Sequence, residues 1–132
     1  MAGFGQFNYQ LLLQFARLEH DYNFSILAKQ SKTPKDIKAA FNIKEYRGFQ
    51  RYKNFRIRKK YDLWHSVNQN TKIEPFHDIP YVLTIHDVTF RSKAEQGEVI
   101  DYDNEKVFLD KLKRANAITY ISQFAKESAH HY

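Results

Sequence analysis

The sequence predicts an α/β fold, an open parallel sheet flanked by helices. Three observations carry that expectation. Short apolar runs alternate along the chain with segments of helical periodicity, and such alternation implies right-handed crossovers between parallel strands. Residues 81–87 (YVLTIHD) put four apolar or β-branched residues in a row, Val82, Leu83, Thr84 and Ile85, directly behind Pro80 and Tyr81. That is the pattern of a strand covered on both faces. The run stops on His86 and Asp87, and in open parallel sheets the ligand crevice lies beyond the carboxyl ends of the strands.

The elements follow in order. Gly3, Phe4 and Gly5 open the chain, and Phe7, Leu11, Leu12, Phe15 and Leu18 then recur near the 3.6-residue period of an amphipathic helix. Residues 23–28 set Phe24, Ile26 and Ala28 on one side, as a strand does. A short helix starts at Thr33 and Pro34, with Thr33 as its cap, Pro34 in its first turn, and Ile37 and Phe41 on its inner face. Residues 42–46 make a short strand. Phe49, Tyr52 and Phe55 recur every three residues within a basic run and suggest a helix with an aromatic face. Residues 61–67 (YDLWHSV) read as a strand, residues 68–71 as the polar loop after it, and residues 75–80 as the lead into YVLTIHD. Residues 91–103 carry a glycine, many charges and little periodicity, and read as a loop. Residues 104–116 are helical by pattern, with Asn104 as cap and Val107, Phe108, Leu109 and Leu112 inward. Residues 117–121 (AITYI) are a strand, and Ser122 caps a last helix running from Gln123 to about His131.

One element is missing from the alternation. A Gly-x-Gly turn before a helix normally follows the first strand, in the middle of the sheet, yet only Met1 and Ala2 precede Gly3. The sheet is therefore expected to lack its first strand, and residues 1–132 read as a single partial domain.

A chain of 132 residues with 42% hydrophobic residues supports one core. The absence of cysteine excludes disulfides, thiolate nucleophiles and cysteine-based zinc sites. No window is long and apolar enough to span a membrane, and the amino terminus has no basic-then-apolar signal region, which fits a cytoplasmic location. The net charge is +6. Much of the excess sits in residues 47–60, where Arg47, Arg51, Lys53, Arg56, Arg58, Lys59 and Lys60 occur without an acidic residue. Such a stretch attracts phosphates, anionic lipid or nucleic acid, or is a solvated basic face.

Several residues are candidates for chemistry. Gly3 and Gly5, with Phe4 between them, could let backbone N–H groups approach a phosphate or sugar, or form an ordinary tight turn. The third glycine of the dinucleotide fingerprint is missing and no acidic residue ends the strand at Ala28, which argues against NAD. His86 and Asp87 read as a polar clamp on a substrate hydroxyl or as a base and its neighbour, against the alternative of a buried, hydrogen-bonded histidine. His65 and Ser66 end a second strand in much the same way, with Asn68 beyond. His77 and Asp78 form a second His-Asp pair; metal-dependent phosphohydrolases carry such pairs on helices, and here one pair is on a loop and the other ends a strand. His130 and His131 read as a frayed terminus. No phosphate loop or Gly-x-Ser-x-Gly elbow is present, and no metal or cofactor site is expected.

Four segments together, GFGQFNYQLLLQFARL, YDLWHSVNQ, YVLTIHDVTF and LKRANAITYISQFAKESA, resemble in order and spacing the N-terminal domain of the GT-B-fold glycosyltransferases of family 4 type (the glycosyl transferase group 1 enzymes). Asp62 and His65 stand where that family has D-x-x-H, and Thr84, His86 and Asp87 where it has T-x-H-D. Ala115, Asn116 and Ala117, followed by Ser122, stand for its small-acidic-small segment and serine, with Asn116 departing from the acidic residue. The match covers most of the chain apart from residues 29–60 and 91–103.

The resemblance implies a Rossmann-like sheet and a transferase that moves a sugar from a nucleotide-sugar donor to a glycan or lipid-linked acceptor, with retention and without a bound metal. No cofactor is implied beyond the donor as co-substrate. By position, His86 would be the catalytic contact to the transferred sugar, Asp87 would support the turn behind it, and Gly3, Phe4 and Gly5 would lie near the donor phosphates or sugar. His65 and Asn68 complete the expected substrate-binding set. The seven basic residues resemble in character the membrane-facing surface of members that act on lipid-linked acceptors, which implies a place at the inner face of the membrane. The nucleotide-sugar domain of the family has no room in 132 residues. That domain supplies the charges that meet the departing diphosphate, so the chain alone is expected to be inactive. The edge exposed by the missing strand is expected to pair with a partner chain or a second copy. The alternative reading is a basic module without catalysis that binds a membrane surface or, less favoured, nucleic acid through Phe49, Tyr52 and Phe55.

Overall fold

The computed structural model describes residues 3–19, 21–88 and 102–130, the side chains of Phe4 and of residues 102–104 excepted. Four α-helices, α1 (Gly3–Arg17), α2 (Lys35–Ala40), α3 (Tyr102–Arg114) and α4 (Gln123–Ala129), alternate with five strands among these residues: β1 (Ser25–Leu27), β2 (Asn42–Lys44), β3 (Trp64–Ser66), β4 (Tyr81–Ile85) and β5 (Ala117–Tyr120). The fold is α/β, and the strands form two small parallel sheets, β1-β2 and β3-β4-β5.

In the larger sheet, Trp64, Tyr81, Leu83, Ile85, Ile118 and Tyr120 share one face by strand alternation and register. They pack with Phe108 and Leu112 of α3 and Ala129 of α4 into the main core, which Leu27 of β1 also joins. The opposite face carries His65, Val82, Thr84, Ala117 and Thr119. There the His65 imidazole Nε2 lies 2.8 Å from the Thr84 hydroxyl, which lies 2.7 Å from the Thr119 hydroxyl. These bonds satisfy Thr84, which would otherwise be a buried orphan.

Helix α1 touches the chain just past β4, just before β1 and at α2. Phe7, near its amino end, meets the ring of His86 just past β4, with centroids 4.7 Å apart. Tyr9 donates a 2.6 Å hydrogen bond to Asp36 in the first turn of α2. Two turns further on, Phe15 stacks at 5.3 Å on Phe24, just before β1, and Phe24 meets Phe41, just before β2. Helices α1 and α2 therefore run side by side in one direction, and β1 and β2 run back against them. The carboxyl ends of β1, β2 and β4 all lie toward the amino end of α1.

The elements fall close to the sequence expectations, apart from the differences that follow. Helix α1 starts at Gly3 itself, so Gly3 and Gly5 are helical rather than a loop before the helix; it stops at Arg17, and Leu18 is exposed. Helix α2 starts at Lys35, and Thr33 donates its hydroxyl to the Lys29 carbonyl instead of capping. The basic run is not an α-helix but two short 3-10 turns, Gly48–Arg51 and Lys53–Phe55, broken at Tyr52, which is extended. Helix α3 begins at Tyr102, two residues ahead of the expected cap at Asn104, and turns Lys111 inward while Val107 faces solvent. The expected loop at residues 91–103 lies outside the described residues except at its end. The Ser122 cap is present, its hydroxyl accepting from the Ala125 N–H at 3.1 Å.

Leu83 is fully buried at the centre of β4. Leu83→Ala is expected to lower stability by about 3 kcal/mol in urea unfolding, whereas Leu63→Ala, at an exposed position, should stay within about 0.5 kcal/mol.

Candidate functional site

The carboxyl end of the larger sheet holds the expected pair His86 and Asp87. His86 is 6% exposed. Its Nε2 lies 2.8 Å from the Val67 carbonyl. A carbonyl only accepts, so the proton on this bond sits on Nε2. The backbone N–H of His86 donates to Gln69 Oε1 at 3.1 Å, and Gln69 Nε2 donates to the Asp87 carbonyl at 2.7 Å. Gln69 is itself buried and holds the His86-Asp87 turn from both sides. Phe7 closes the site edge-on against the imidazole.

The loop after β3 is built for this job. Asn68 Oδ1 accepts from the Asn70 N–H at 2.7 Å, and the Asn68 carbonyl accepts from the Thr71 N–H and hydroxyl. These local bonds tighten the turn and aim Gln69 inward. Asn68 is thus a turn-former beside the His86-Asp87 turn. Gln69 was silent in the sequence: a glutamine in a polar loop carries no titratable signal, and only its burial marks it.

His65 sits apart from this end. It pairs with Val82 in the middle of the sheet, and its ring is engaged with Thr84. Burial lowers its pKa below the ordinary histidine value, which keeps it neutral at pH 7. Of the expected site residues, His86 and Asp87 come together with the loop that holds Asn68, through Gln69 and Val67; Gly3 and Gly5 lie in the first turn of α1, whose Phe7 meets His86, while His65 belongs to the sheet face. His77 donates to or accepts at no catalytic group; its Nε2 donates to the Arg58 carbonyl at 2.8 Å, against the edge of Phe76. His131 lies outside the described residues. No group of three or more His, Asp or Glu side chains gathers as a metal site among the described residues.

Beneath the loop lies a buried charge cluster that sequence reasoning missed. Glu74 accepts from Arg114 Nη2 at 2.9 and 3.0 Å and pairs with Arg56 at 3.0 Å. Lys111 Nζ stands 3.8 Å from the same carboxylate, donates to the Gln69 carbonyl at 2.9 Å, and donates to the Thr71 carbonyl. Arg56 therefore leaves the expected basic surface: Glu74 draws it inward. The remaining six, Arg47, Arg51, Lys53, Arg58, Lys59 and Lys60, are exposed. Beside them Phe49, Tyr52 and Phe55 are 46%, 55% and 56% exposed. Arg51 stacks over Tyr52 and Arg58 over Phe76.

Compared with known proteins, the chain matches no family model, no curated protein and no solved structure.

Burial drives the Lys111 pKa down to about 8; Glu74 opposes the shift, and Arg114 and Arg56 add to it. Between about 8 and 10.5 the unfolded chain binds more protons at this lysine than the folded one, so its contribution to stability rises with pH across that window. Relative to Lys111→Met, the wild-type chain is expected to gain about 3 kcal/mol between pH 8 and 10.5. Urea unfolding of both proteins across that range checks it; parallel curves would assign the shift elsewhere.

Proposed function

We propose that this chain forms the acceptor-side half of a sugar-transfer cleft of the GT-B glycosyltransferase type, built on a Rossmann-like sheet. The observation that carries the reading is the clamped His86-Asp87 turn at the carboxyl end of β4, facing the amino end of α1. His86 would touch a hydroxyl of the transferred sugar, its orientation fixed by Val67, Gln69 and Phe7. Asp87 and Asn68 line the same end. The first N–H groups of α1 at Gly3, Phe4 and Gly5 suit an anionic group, because a helix start carries unpaired donors and partial positive charge. Charge developing on the departing diphosphate is the largest demand of this chemistry and would be met by a second, nucleotide-binding domain. In this reading residues 1–132 supply the binding half of the cleft.

Backbone NMR titration tests this. Oligosaccharide acceptors are expected to shift the amides of Gly5, Asn68, His86 and Asp87, while UDP- and GDP-sugars bind the chain alone no tighter than about 1 mM. Tight nucleotide-sugar binding, or sugar shifts confined to other amides, would contradict the reading.

A second reading, a basic module that works at an anionic membrane surface, is favoured by the exposed aromatic rings of Phe49, Tyr52 and Phe55 among cations. Such rings insert at the headgroup level while the cations meet anionic lipid. It is compatible with a lipid-linked acceptor. No helix of the described residues is long and apolar enough to cross a membrane, so contact would be peripheral. Flotation with phosphatidylglycerol vesicles is expected to capture the chain, and Arg51→Ala with Lys53→Ala should weaken partitioning roughly 30-fold, each charge being worth about 1 kcal/mol. Equal capture by phosphatidylcholine vesicles, or preference for RNA over vesicles, would count against it.

A further inference from the structure

At the end of α1 remote from His86 the surface opens into a cleft of about 520 Å³. That volume is within the range of small-molecule sites. The cleft lies where both helices of this half finish and both strands begin. Ala16 and Leu18 line it from the end of α1, Ala40 from the end of α2, and Asn42 from the start of β2. Ala16 stands about 14 Å along α1 from Phe7, the ring that meets His86. The two regions are therefore separate.

Three aromatic rings line this cleft. Phe24 and Phe41 are the deeper pair, set edge to face with centroids 5.8 Å apart, and Phe24 is braced by Phe15. Tyr22 meets Phe24 at 6.3 Å and 72° and is 77% exposed. Three polar side chains line it as well: Asp21, Asn23 and Asn42, all exposed. The order of the chain explains the mixture. Polar and aromatic residues alternate from Asp21 to Phe24, and Phe41 with Asn42 repeats the pairing where β2 starts beside β1.

The lining selects its ligand by chemistry. Among the described residues that line the cleft no side chain is cationic, in a chain with 21 lysines and arginines, and Asp21 alone is charged. The carboxyl ends of α1 and α2 add partial negative charge. A phosphate or carboxylate ligand is therefore repelled. A purely apolar ligand would strip water from Asp21, Asn23 and Asn42 without replacing it. A quaternary ammonium suits the rings and Asp21 but leaves both amides unused. A neutral pyranose uses the whole set. Its C–H face lies on an aromatic ring, its hydroxyls donate to the carboxylate and the amide oxygens, and they accept from the amide N–H groups. We infer that this cleft is a binding subsite for a neutral glycan, held by stacking on Tyr22 and by hydrogen bonds to Asp21, Asn23 and Asn42. The inference stands on the cleft alone and does not rest on the reading of His86.

The test is an NMR titration of the chain with three neutral trisaccharides, cellotriose, maltotriose and mannotriose. Adenosine, choline and glucose 6-phosphate serve as flat, cationic and anionic controls. At least one trisaccharide is expected to give saturable shifts of the Tyr22, Phe24 and Asn42 amides, with the controls weaker there. Tyr22→Ala and Asn42→Ala should each weaken that binding about fivefold. Both positions are exposed, so both variants should keep the fold. No saturable shift with any trisaccharide overturns the subsite. So does tighter binding of a control at these amides, or affinity unchanged by either substitution. Trisaccharide shifts confined to the His86 end would equally overturn it, whereas shifts at the cleft alone would support it and count against the reading of His86.

Discussion

Parallel pairing is the constraint on which this structure rests. A parallel strand cannot turn back on its neighbour through a tight loop; the chain must be carried to the starting end before it can pair again. Every strand end of one kind therefore falls on one side of the molecule. His86, the loop at residues 67–71 and the start of α1 are neighbours for that reason. The position of the imidazole is a property of β4 and its direction; Gln69 holds the backbone of the turn that carries it, and the Val67 carbonyl orients the ring.

The charge cluster at Glu74 serves the same end from below. One buried carboxylate holds Arg56 from the basic stretch and Arg114 from α3, with Lys111 beside them. Buried ion pairs contribute little net stability, because desolvation offsets attraction. Their directional bonds are another matter. Lys111 holds the carbonyls of Gln69 and Thr71, so the loop that clamps His86 is anchored to a helix 40 residues away in sequence. The arrangement trades solvation of a lysine for a fixed loop.

The sequence was most readable where local and global demands agreed. YVLTIHD forms the central strand because an unbroken apolar run suits two covered faces, and Ser122 caps because a short hydroxyl before a helix has an N–H to accept. Phe49, Tyr52 and Phe55 misled: a spacing of three is the period of a 3-10 turn, not of an α-helix, and their rings stay in solvent. Val107 and Lys111 exchanged roles because hydropathy assigns lysine to water, whereas Glu74 and two carbonyls wait for it inside. Of the site, the strand-end pair was visible, and the clamp was not. Gln69 and the Thr84-Thr119 hydroxyl pair acquire meaning only through contacts between segments far apart in the chain. His65 and Ser66 do end β3, but the His65 ring turns onto the sheet face and engages Thr84.

The division into two sheets also bears on the order of assembly. Ser25 pairs with Asn42 and Trp64 with Tyr81, each closing a loop of 17 residues, whereas Val82 meets Ala117 across 35. Closure entropy grows only with the logarithm of loop length, about 0.6 kcal/mol for a doubling. The first two pairings thus start on equal terms, and neither needs the other as a template. Two nuclei can form early and independently, β5 joining the second at small extra cost, and the slowest step is then the docking of α1 across both.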